Sequence, residues 1–226
     1  WSRSIKVGAM TLAASAFDSL RLDALPDREA LRRVYEMPND GAVRKQMTEL
    51  TGLTRRLIGC SSFVLIASVD AEGNCDVTPR GGPAGFVAVL DDRTLAIPDA
   101  TGNKRLDTLQ NVIETGRAGL MFVIPGRTTT LRVNGRACVS TRSDLLSQLT
   151  AVGKPPASAL VLGIDEVYPH CPKALLRGGV WKPEQWLPAD AQPTSAEVTL
   201  AQLRMPELTI ADIEQAEADA LKYRYE

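Results

Sequence analysis

Between residues 62 and 167 the apolar positions fall into short runs separated by turn-forming residues. Residues 62–69, SFVLIASV, are rich in apolar and β-branched side chains and stop at Asp70-Ala71-Glu72-Gly73-Asn74, a stretch of turn composition. Residues 75–78 return beside them. Residues 86–90 and 94–98 flank Asp91-Asp92-Arg93, and residues 117–124 and 129–140 flank Pro125-Gly126-Arg127. Residues 159–167 supply a last apolar strand. Six or seven strands joined mostly by short loops predict an antiparallel barrel or sandwich. Closing such a sheet would remove its edges.

Helical spacing brackets this pattern. Asp27 is placed to cap a helix through Leu31, Val34 and Tyr35 that stops at Pro38. A second helix is expected through Val43, Met47, Leu50, Leu53 and Leu57, weakened by Gly52. Asn103 is read as the cap of a helix with Leu106, Leu109 and Ile113 on its apolar face. Thr141 is read as the cap of another, bearing Asp144 in its first turn and Leu145, Leu146, Leu149 and Val152 inward, ended by Gly153 and Pro155-Pro156. Thr209 caps a terminal helix with Ile210, Ile213, Ala220 and Leu221 on one side. The expected organisation is an arm over residues 1–26, one domain over 27–186, and a linker with a C-terminal helix over 187–226.

Charge narrows the partners. A formal net charge of -1 over 226 residues supplies no global field for nucleic acid, so any anion site must be local. No apolar run approaches the roughly 20 residues of a membrane helix. The stretch from Arg3 and Lys6 to Ala16 is short and weakly apolar for a secretory leader, and Met10 is a candidate start. A cytoplasmic protein with reduced thiols is expected. Cys60, Cys75, Cys138 and Cys171 form no C-x-x-C pair, and with a single histidine they make poor metal ligands. No G-x-S-x-G elbow, Walker loop or H-E-x-x-H is present.

The chemistry concentrates at Thr101-Gly102-Asn103-Lys104-Arg105. A helix start with free N–H groups, its dipole and two adjacent cations suits a phosphate; solvated charges at a helix end are the plain alternative. His170 titrates near neutrality, but on an extended segment it and Cys171 point to opposite sides and cannot chelate one ion.

VTPRGGPAGFVAVLDDRTLAIPD, GNKRLDTLQNVIE, GLMFVIPG, TLRVNGRA and HCPKALLRGGVW together resemble the pyridoxamine 5'-phosphate oxidase-like, FMN-binding split-barrel proteins, within them the bacterial branch of unassigned substrate. The likeness runs from roughly Leu31 to Trp186. It implies a mainly β fold with flanking helices, a split β-barrel, and a homodimer with flavin sites at the subunit interface. It also implies an FMN-dependent oxidoreductase in which hydride passes to or from flavin N5 and no protein nucleophile is needed; the catalytic residues and the substrate stay unknown. Carried over by position, Thr78, Arg80, Asn103, Lys104 and Arg105 would hold the FMN phosphate. Arg132 lies on a family strand near the flavin, with a cross-strand ion pair as the alternative. Lys173, Arg177 and Trp181 would reach the flavin pocket from the partner subunit. Two departures stand out: Ala100-Thr101 where relatives commonly have Arg-Pro, and Gly178-Gly179 in place of a serine-containing pattern. The alternatives are a non-catalytic flavin-binding carrier or sensor, and a split barrel using F420 or haem.

Overall fold

The structure is a computed structural model that describes residues 15–100, 102–149 and 155–223. Arg3, Lys6, Met10, Thr101, Val152 and Gly153, named above, lie outside them. The chain divides into two compact units, residues 1–43 and 44–226. In the first, Ser15 and Asp18 form a capping box that opens α1 (Ala16–Arg21). Asp27 Oδ1 accepts from the Ala30 N–H at 2.7 Å and opens α2 (Arg28–Val34), as its sequence predicts. α3 (Asp40–Arg44) follows.

The single helix expected from Val43 to Leu57 is two. Between α3 and α4 (Gly52–Gly59), Met47 exchanges backbone hydrogen bonds with Val167 at 3.0 and 2.8 Å, so this stretch is extended. Thr51 and Thr54 form a capping box that makes Gly52 the first helical residue, where its poor interior propensity matters little.

The strands are β1 (Phe63–Val69), β2 (Cys75–Gly81), β3 (Ala88–Asp91), β4 (Thr94–Pro98), β5 (Arg117–Val123), β6 (Leu131–Ser140) and β7 (Ala159–Pro169), with α5 (Asp107–Thr115) between β4 and β5 and α6 (Ser143–Leu146) between β6 and β7. They form one sheet in the order β2-β1-β5-β6-β7-β4-β3, every neighbouring pair antiparallel. β2 and β3 remain edges, so the sheet is not closed and the fold is a split barrel.

Alternation along each strand sends Val64 and Ile66, Leu95 and Ile97, Leu120 and Phe122, Leu131 and Val133, and Leu160 and Leu162 to one face. There they pack with Ile58 of α4 and Leu109 and Val112 of α5. The sheet curls around this core: Ile66 and Arg80 from one half and Ile97 and Leu160 from the other line the same small cavity. On the reverse face of β4 and β7, Ala96 and Ala159 meet Leu145, Leu146 and Leu149. Thr141 does not cap α6; the cap position is Arg142, whose guanidinium pairs with Asp144 at 2.7 Å and draws the acid onto itself.

After β7 come α7 (Lys173–Arg177), α8 (Ser195–Leu203) and α9 (Ile210–Tyr223). α8 begins inside the stretch read as linker, because Thr194 and Glu197 form a capping box. Thr209 caps α9 as expected, its backbone N–H donating to Asp212 at 2.9 Å. Of the expected apolar side, Ile213 is buried whereas Leu221 is exposed. No helix among the described residues is long and apolar enough to cross a membrane.

Candidate functional site

Arg80 is fixed by its own strand. Thr78 and Arg80 oppose Ile66 and Val64 of β1, so both side chains share the inner face with the core. Arg80 Nη1 donates to Thr78 Oγ1 at 2.7 Å and to the Pro79 carbonyl at 2.9 Å. Gly82 follows without a side chain because a Cβ there would meet the Phe86 ring at 2.8 Å. Across the curl, Arg80 Nη2 stands 4.0 Å from Asp99 Oδ1, one residue beyond β4. Partial burial raises the Asp99 carboxyl above its ordinary range, and the Arg80 charge only partly opposes that rise.

The loop from Gly102 to Leu106 supplies the other cations. α5 begins at Asp107, not beside Asn103. Asn103 does not cap it; its Oδ1 accepts from the Arg105 N–H at 3.0 Å, a local turn that competes with helix. Lys104 and Leu106 both take left-handed backbone, φ 63° and 62°, which stops the helix from extending backwards. The helix start meets acid instead: Arg105 Nε pairs with Asp107 at 2.9 Å. Thr108, 2% exposed, donates to Asp76 Oδ2 at 2.7 Å and ties α5 to β2.

These groups converge on one cleft of about 860 Å³, within the usual range for small-molecule sites. Thr78, Arg80, Asn103, Lys104 and Arg105 all line it, and so do Asp76, Asp99 and Asp107. Asp76 and Asp107 are already taken by Thr108 and Arg105. Arg80, backed by neutral acceptors, and Lys104 remain for an anion carrying close to two charges. The residues therefore fit a phosphate, with Asp99 as the opposing charge. Asp76, Asp99 and Thr108 escaped the sequence reading. Their contacts join positions far apart in the chain, and the only local signal was the lost Arg-Pro beside Asp99.

The remaining nominated residues lie elsewhere. Leu131 and Val133 face the core, so Arg132 projects from the outer face of the sheet. Its partner is not the acid that a cross-strand ion pair requires: Nη1 donates to the Tyr168 hydroxyl at 2.8 Å. Lys173 and Arg177 sit on α7, and Trp181 Nε1 donates to the Arg127 carbonyl at 2.7 Å. Gly179 has φ 58°, and a Cβ there would meet Gln185 Oε1 at 2.7 Å, which accounts for glycine at this position. The cleft borders the start of β7, at Pro156 and Ala157, whereas α7 follows its end. Eleven extended residues separate the two by about 33 Å along the strand. A second depression, of about 500 Å³, lies on the outer face among Ala67, Gly119, Asn134 and Glu166. Its Arg117 is paired with Asp165 at 2.7 Å, leaving less free positive charge for a phosphate.

Solved structures similar to the chain include HupZ of Group A Streptococcus, with 19% identity and TM-score 0.43, covering 53% of this chain and 93% of that one. An FMN-binding protein from Syntrophomonas wolfei has 17% identity and TM-score 0.40, over 70% of this chain and 98% of that one. The FAD binding protein from Mycobacterium smegmatis has 12% identity and TM-score 0.36, over 55% and 97%. No curated protein matches the sequence. The family model for pyridoxamine 5'-phosphate oxidase matches residues 50–171, which span the whole sheet and the cleft. That match takes in more than half of the chain, which therefore belongs to the pyridoxamine 5'-phosphate oxidase family.

Proposed function

We propose that the cleft holds the phosphate end of FMN and that the protein is a flavin-dependent oxidoreductase acting as a cytoplasmic homodimer. The observation that carries this reading is the convergence of Arg80 and Lys104 on one cleft from opposite sides of the barrel's split. Bound FMN supplies two-electron redox chemistry, so the chain needs no nucleophile of its own. Thr78 and the Pro79 carbonyl hold the Arg80 guanidinium in place before any anion arrives. The turned-back Asn103 side chain fixes the Lys104 and Arg105 backbone in the same way. Lys173, Arg177 and Trp181 follow the far end of β7, so a second copy is the economical way to bring them to the flavin.

The test begins with the absorbance spectrum of the purified protein and identification of the cofactor released on denaturation. A flavin spectrum, lost in Arg80→Ala and Lys104→Ala, is expected. A colourless protein that takes up no added FMN contradicts the reading. Turnover with NAD(P)H separates an enzyme from a flavin carrier, and unchanged flavin affinity and activity in an Arg177→Ala dimer would remove the contact between subunits.

A further inference from the structure

We infer that Lys45, Arg132 and His170, gathered round Tyr168 on the outer face of the sheet, form a second anion site, for a small oxyanion such as phosphate or a carboxylate. Arg132 Cζ lies 5.6 Å, Lys45 Nζ 6.0 Å and the His170 ring 5.2 Å from the centre of the Tyr168 ring. Among the described residues neither cation has a carboxylate partner, unlike Arg117 and Arg136 further along the same face, which share Asp165. Glu166, two residues before Tyr168 on β7, is held by the amides of Asn134 and Gln46. Two unneutralised cations beside an imidazole repel one another, and an oxyanion between them is the group that relieves all three.

His170 carries the second observation. Its Nε2 is buried and makes no hydrogen bond, a cost that folded proteins rarely leave without a use. Its backbone N–H is spent on the Thr130 carbonyl at 2.9 Å, which holds the residue at the end of the sheet. Desolvation, and then the positive charges of Arg132 and Lys45, lower the pKa of the ring below its ordinary value. An oxyanion docked on the two cations reverses that field, and the ring then takes up a proton. Anion binding and proton uptake are thereby linked, each strengthening the other. The site faces away from the Arg80 cleft and does not depend on flavin.

The chain has one histidine, so its imidazole signals in a proton NMR spectrum are those of His170. Adding inorganic phosphate to the full chain should raise the His170 pKa saturably, beyond any shift from sodium chloride at matched ionic strength, and the phosphate affinity should rise as the pH falls. Acetate should act in the same direction. Lys45→Met and Arg132→Met should each weaken phosphate at least about tenfold, the loss of one charged hydrogen bond, while Arg80→Ala leaves the response intact. Lys45 is exposed, so its variant tests the site without disturbing the core. A phosphate response no larger than that to chloride, one that survives in Lys45→Met, or one that disappears in Arg80→Ala would overturn the assignment.

Discussion

Asp99 places a carboxylate where the proposed flavin phosphate would dock, 4.0 Å from Arg80. A phosphate must compete with it for the guanidinium, so Asp99→Asn should tighten FMN at pH 7 by up to roughly fivefold, since partly exposed charges couple by up to about 1 kcal/mol. Unchanged or weaker binding would show that Asp99 orients Arg80 instead of opposing the ligand. His170 gives a second prediction at this scale. Its folded pKa is lowered from 6.5, so between the folded value and 6.5 the unfolded chain holds more protons. In phosphate-free buffer, stability should therefore fall as the pH drops below about 6.5 and be flat from this group above it. Denaturant titrations of His170→Gln should lack that component; an identical pH profile in both proteins would contradict the assigned shift. Lys104 and Arg105 were legible as cations beside a glycine-containing loop, a local signal, whereas Arg80 came with the family resemblance. Sequence could not offer Asp99, since the curl that carries the end of β4 to β2 is a property of the whole sheet.

Element boundaries obey local rules more often than periodicity alone suggests. Asp27 and Thr209 cap the helices that their positions predict. Asn103 has the right residue type but spends its side chain on Arg105, and two left-handed residues delay α5 to Asp107. Gly52 counts against a long helix and fits at the start of a short one. A glycine that composition does not flag governs the sheet. At the bulge between Asn134 and Gly135, a Cβ on Gly135 would lie 1.9 Å from the Gly163 carbonyl oxygen, which is backbone and cannot swing aside. Gly119 on β5 would meet only the end of the Asn134 side chain, at 2.7 Å. Gly135→Ala should therefore cost about 3 kcal/mol or prevent folding, whereas Gly119→Ala should cost about 1 kcal/mol or less. Comparable unfolding midpoints for the two variants would mean that the bulge is not a close approach of backbones.

At the scale of the molecule, the strand count and the antiparallel order of hairpins are legible in the apolar runs. The two free edges are not, because closure depends on how far the sheet curls. The curl matters for function: it brings Arg80 to the end of β4 and the loop of Lys104, and it leaves α7 about 33 Å away along β7. If the proposed homodimer forms, sedimentation of the flavin-loaded protein should give twice the mass of the chain. The most direct measurement is a calorimetric titration of FMN into the 226-residue chain and its Arg80→Ala variant. The account predicts saturable binding to the wild-type chain, weakened at least about tenfold by the substitution, as expected for a lost charge-assisted contact. No binding to a folded wild-type chain, or equal affinity in the variant, would contradict it.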